Sequence, residues 1–249
     1  MHTLSYENKD KTLMNTEKEQ YLKFYNKYVN SGIFLATTIN VLEYFSTNEK
    51  DIEILQKFSP NFYNIITYSL WAQAVIVCNS FFASDDDMKF YNFFKYVSEN
   101  FEKIFTGDFY TYKHINGKTI EYEHIVFKKE EMVQAIRECK KLIKKEKEIL
   151  KTIKDHRNLL YAHFSADGDK FFNNSVLEIQ DLKNVLFLIN NIINKICVMY
   201  DRRIISLEPI NATDIYQVLA MLKRYDMFHE EIANMYQKKI EEDISKLNN

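Results

Sequence analysis

Breakers of regular structure are scarce in this chain of 249 residues, which carries only 4 glycines and 2 prolines. That scarcity excludes a β-rich fold, whose turns need such residues every 8–12 positions or so. Cysteine is scarce too. Cys78, Cys139 and Cys197 stand far apart, form no CxxC pair and are odd in number. Such a set excludes a disulfide framework or a zinc cluster and fits buried thiols in a reducing compartment. An excess of one charge is also missing, the formal net charge being −2. Any nucleic-acid site must therefore be a local feature of the surface. The opening "MHTLSYENKDKTLMNTEKEQ" lacks the apolar run of a signal peptide.

What is abundant is apolar and charged residues, 46% and 27% of the chain, in helical patterns. Tyr21, Phe24, Tyr28, Phe34 and Leu35 recur at helical spacing within 17–46, which predicts one or two helices. Pro60 is placed to open the next helix, since a first turn tolerates proline. That segment, from Phe58 to Ser84, contains no charged residue. Scattered Asn64, Thr67, Gln73 and Asn79, with no flanking basic cluster, predict a central buried helix over a membrane span. A membrane-associated effector using residues 60–83 is the reading to set against it.

"SDDDMKFYNFFKYVSENFEKIF" predicts a further helix capped by Ser84, with Asp87 in the capping-box position. Its three aspartates suit a helix N-terminus better than a metal site, because partner ligands are missing. The period then changes in "DFYTYKHINGKTIEYEHIVF", where Asn116-Gly117 separates two runs rich in Tyr, Thr and Ile. This predicts a β-hairpin over about 108–126. His114 and His124 on it lack companions at ligand spacing and are expected at the surface.

From Glu130 to about His163 runs the longest helical pattern. Met132, Ile136, Cys139, Ile143, Leu150, Ile153 and Leu160 form one apolar stripe, and seven lysines from Lys140 to Lys154 occupy the other faces. After the polar loop "SADGDKFFNNS", Leu182, Leu186, Ile189, Ile193 and Ile196 mark a second long helix. Thr213 is placed to start one or two closing helices over about 212–247. No internal repeat or low-complexity linker interrupts the chain, which predicts a single helical domain over 1–249.

Where the lysine-rich helix should end stands "KDHRNLLYAHFSADGD". On a regular helix Arg157 and His163 flank the buried seam at about 60° to either side of Leu160. Asn158 points nearly the other way, so it can join them only if the helix bends or a second subunit supplies the opposing face. A helix C-terminus explains one cation through the macrodipole. It does not explain Asn directly after Arg, with His five residues beyond.

Arg157-Asn158, four residues, then His163 is similar to the R-[polar]-x4-H signature of the HEPN superfamily. The uncharged helix with Trp71 followed by "SDDDMKFYNFF" resembles the abortive-infection AbiU-type branch, over about residues 20–205. The resemblance implies an all-α, HEPN-like helical bundle, here with an inserted β-hairpin and extra C-terminal helices. It implies a homodimer whose two motifs face each other across a cleft, and a metal-independent endoribonuclease that needs no cofactor. Such proteins serve as toxins or antiphage effectors, and the isolated cysteines and polar N-terminus predict a cytoplasmic location away from the membrane.

On this resemblance, His163 is the general acid/base, its imidazole titrating near about 6.5. Arg157 holds the scissile phosphate, and Asn158 orients one of the two or bonds the phosphate. Lys151, Lys154 and Tyr161 are the expected RNA contacts. The H-x-Y tail of toxins silenced at tyrosine is missing, Phe164 and Ser165 following His163. A neutralising partner of the nucleotidyltransferase kind is therefore not implied, whereas one of another kind is compatible. The alternative reading is a non-catalytic scaffold in which the same motif holds a nucleotide or closes a dimer.

Overall fold

A computed structural model describes residues 16–83, 89–105, 109–115, 118–125, 128–158, 176–201, 204–210 and 213–247. The fold is helical. Helix α1 spans Thr16–Thr47, α2 Glu49–Phe58, α3 Pro60–Phe82, α4 Phe90–Glu99 and α5 Phe101–Ile104. Strands β1 (Phe109–Ile115) and β2 (Lys118–Ile125) pair antiparallel, with a register irregularity between Lys113 and His114. Helices α6 (Lys129–Lys145), α7 (Lys147–His156), α8 (Ile179–Asp201) and α9 (Thr213–Leu247) complete the described chain.

Contacts divide the chain into two compact units, one of residues 1–33 and 75–207, the other of 34–74 and 208–249. The boundaries fall inside α1 next to Gly32, inside α3, and between Leu207 and Glu208 just before Pro209. In the first unit, aromatic rings supply much of the core. Tyr21, Phe24 and Tyr28 of α1 meet Phe90 and Phe93 of α4 at ring-centroid separations of 4.8–5.7 Å. Tilted and edge-on rings at such distances add to the hydrophobic contribution of their burial. Beside them α6 packs against α4 and α8. Met132, Ile136, Cys139 and Ile143 of α6 and Leu182, Val185, Ile189, Ile192 and Ile193 of α8 are buried. In the second unit, Phe45 of α1, Leu55 of α2 and Leu219 of α9 form a smaller core.

Three sequence expectations are corrected. The stripe from Glu130 onward is not one continuous helix. It breaks at Glu146, whose φ of −91° and ψ of 19° separate α6 from α7. The break keeps the seven-residue step between Ile143 and Leu150, so the apolar pattern alone does not reveal it. The helix expected from Ser84 begins at Phe90, flanked by Lys89, and is interrupted at Asn100. Ser84 and the three aspartates lie outside the described residues.

The third correction concerns α3, expected as a central buried helix. Only Ala74, Val75, Cys78 and Phe81 are buried along it, and Phe62, Ile65 and Tyr68 are exposed. It is long and apolar enough to cross a membrane by length and composition, with 22% of its most apolar 18-residue window buried. Lack of charge reports composition, and composition does not say what covers a helix.

Candidate functional site

The site lies at the end of α7. Ile153 and His156 are buried, and with half-buried Leu150 they form the face that α7 turns inward, against α8. At about 100° per residue, Arg157 then sits about 40° from Ile153, at the margin of the buried face. Its side chain is half-buried. Lys151 and Lys154 fall further round and are exposed, as are Lys140, Lys141, Lys144, Lys145 and Lys147. One helix thus carries a buried seam, a half-buried arginine beside it and a cationic flank.

The helix does not end abruptly. The Arg157 backbone N–H reaches the carbonyls of both Ile153 and Lys154. Arg157 and Asn158 continue in a wider, π-type turn. Such turns change the angle between successive side chains and recur at functional sites. Here Arg157 Nη1 donates a hydrogen bond of 2.9 Å to Asn158 Oδ1. The two side chains that a regular helix would splay apart are joined, and no second subunit is needed to unite them. The bond orients the guanidinium through one of its five donors, and a fork so held suits a phosphate or carboxylate.

His163 and Tyr161, along with the polar loop, lie outside the described residues. The structure therefore brings together Arg157 and Asn158, sets Lys151 and Lys154 on the adjacent flank, and describes no position for the other two. His156, which the motif does not include, is 4% exposed and belongs to the packed face of α7. Its burial follows from the three-residue step after Ile153. Glu138 of α6, which stands beside the lysine field, is paired instead with Lys195 of α8 at 2.7 Å. That contact holds the Glu138 carboxyl below its usual range.

A separate cavity of about 660 Å³ opens in the second unit. Its walls include Asn48, Asp51, Lys223 and Asp226 and none of the motif residues. Asp51 there accepts from Tyr44 and pairs with Lys223. Burial pushes the Asp51 carboxyl up, and these two partners outweigh it and hold the group low.

The family model HEPN_AbiU2 (AbiU2) matches residues 18–221, and the chain belongs to that family. No curated protein and no solved structure matches it.

Proposed function

We propose that the protein is a metal-independent endoribonuclease, acting as a toxin or antiphage effector in the cytoplasm of the cell it defends. The observation that carries this reading is the Arg157–Asn158 hydrogen bond at the turn that ends α7, in a chain of the AbiU2 family. The reaction uses a nucleophile internal to the substrate. His163 accepts the proton of a ribose 2′-hydroxyl, and the 2′-oxygen attacks the adjacent phosphorus. The bond to the 5′-oxygen breaks, and that oxygen takes the proton which the His163 imidazolium returns, regenerating the neutral imidazole. Products are a 2′,3′-cyclic phosphate and a 5′-hydroxyl.

Proximity lowers the barrier, because the attacking oxygen is already beside the phosphorus. Arg157 stabilises the charge that grows on the phosphoryl oxygens, and Asn158 fixes the direction of its fork. Lys151, Lys154 and Tyr161 hold the flanking RNA backbone and bases. Two subunits facing each other give a cleft wide enough for the strand.

Purified protein incubated with total RNA in EDTA should release fragments with cyclic-phosphate ends. His163→Ala and Arg157→Ala should each lower the rate by about 100-fold or more while circular dichroism stays unchanged. Full cleavage by His163→Ala removes the assignment. Binding without products supports the non-catalytic scaffold instead, all the more if Arg157→Ala lowers the melting temperature.

A further inference from the structure

Helix α9 carries an apolar face that the described chain leaves largely exposed, the Tyr225 ring meeting Phe58 of α2 at 5.5 Å on one edge of it. Leu219 is buried against Phe45 and Leu55, and Leu222 packs beside them. Asp226 reaches Lys57 of α2 at 2.5 Å. These residues dock one face of the helix on its own unit. A second face lies about 100° away, one residue back along the helix. It presents Val218, Met221, Tyr225, Phe228, Ile232 and Met235. Five of these are 50–70% exposed, and Ile232 is half-buried. From Met227 to Glu241 every residue except Ile232 is exposed.

The steps between these six residues run three, four, three, four, three. That alternation averages 3.5 residues and is the spacing of a seam that meets another helix. A membrane surface would instead favour a broad apolar face opposite a basic one. Between residues 223 and 243 the acids outnumber the bases six to four.

We propose that this face pairs with α9 of a second copy of the chain, antiparallel, about a twofold axis passing between Asp226 and Met227. In that register Val218 meets the partner's Met235, Met221 meets the partner's Ile232, and Tyr225 meets the partner's Phe228. Each apolar residue of the seam finds an apolar residue across it. The flanking positions are complementary in charge, because Arg224 faces the partner's Glu231 and the symmetry repeats the pair. A parallel arrangement would set Arg224 against the partner's His229 and leave it without a carboxylate. The interface is isologous, each copy presenting the same face to the other. Spanning about 26 Å of helix, it is short enough to dissociate on dilution.

The inference stands apart from the ribonuclease reading, since α9 holds none of the motif residues. Sedimentation of the full chain over a range of concentrations tests it. Wild type should show a reversible twofold association through this face, in addition to the motif-facing pairing on which the ribonuclease reading rests. Phe228→Glu should weaken that association by about 30-fold or more, with helix content retained because the side chain is exposed. Arg224→Glu should weaken it by setting like charges together, and Arg224→Glu with Glu231→Arg should restore it. A wild type that does not associate, an assembly untouched by Phe228→Glu, or a double exchange that fails to restore pairing overturns the proposal. RNA cleavage in the same variants reports separately on the motif.

Discussion

Arg157 and Asn158 are adjacent in sequence and, on a regular helix, would point about 100° apart. The π-type turn that follows His156 lets the amide oxygen of one accept from the guanidinium of the other. The identity of the pair is plain in the sequence, whereas its union depends on how the helix ends. The cysteines show the opposite relation. Their isolation predicts buried thiols, and all three are buried. Burial pushes the Cys78 thiol far above its usual range and the Cys139 thiol up to about 12. Both stay protonated through neutral and mildly alkaline pH, and the thiolate is the reactive form. A maleimide reagent at pH 8 should therefore leave them unmodified in the native protein and label them in guanidinium. Rapid labelling of Cys78 in native buffer would contradict its placement.

At the scale of elements, α7 owes its position to Ile153, which is 1% exposed beneath α8. Ile153→Ala should cost about 2–5 kcal/mol through lost burial and the cavity left behind. A fall in thermal midpoint of several degrees would show it, and an unchanged midpoint would mean that α7 is not held there. The apolar stripe of the lysine-rich segment was legible from periodicity, Met132, Ile136, Cys139, Ile143 and Ile153 all being buried. The interruption at Glu146 was not, because neither glycine nor proline marks it and the stripe steps over it in phase. In α1 the pattern holds for Tyr21, Phe24, Tyr28 and Leu35, yet Phe34 is 48% exposed. An apolar residue next to a buried one shares its polarity but points a third of a turn away.

Across the whole molecule the formal charge is −2, so RNA would be drawn by the lysine field of α6 and α7 and not by an overall basic surface. Each phosphate contact made by a lysine releases counterions and steepens the salt dependence of binding. Removing Lys151 and Lys154 together should reduce the slope of log affinity against log salt by about 2. A filter-binding titration between low and moderate salt measures it. An unchanged slope would place RNA elsewhere on the surface. Acid tests a different part of the whole. Lys103 binds Glu17 at 2.5 Å and, with Thr16, lowers its carboxyl to about 2. The tie between the start of α1 and α5 is therefore present above the ordinary carboxylate range and fades as pH falls through that range toward 2.

The residues alone determined that this chain is helical, that its thiols are hidden, that two long segments pack through spaced apolar side chains, and that Arg157, Asn158 and His163 stand at a spacing similar to that of the HEPN signature. Periodicity, breaker content and residue order are local properties, and a linear chain displays them in full. Only the tertiary structure decided that α3 leaves Phe62, Ile65 and Tyr68 exposed, that the chain divides in mid-helix into two units, and that Arg157 reaches Asn158. Each of these depends on which surface arrives from elsewhere to cover a side chain or redirect a turn, and that is a property of the packed molecule.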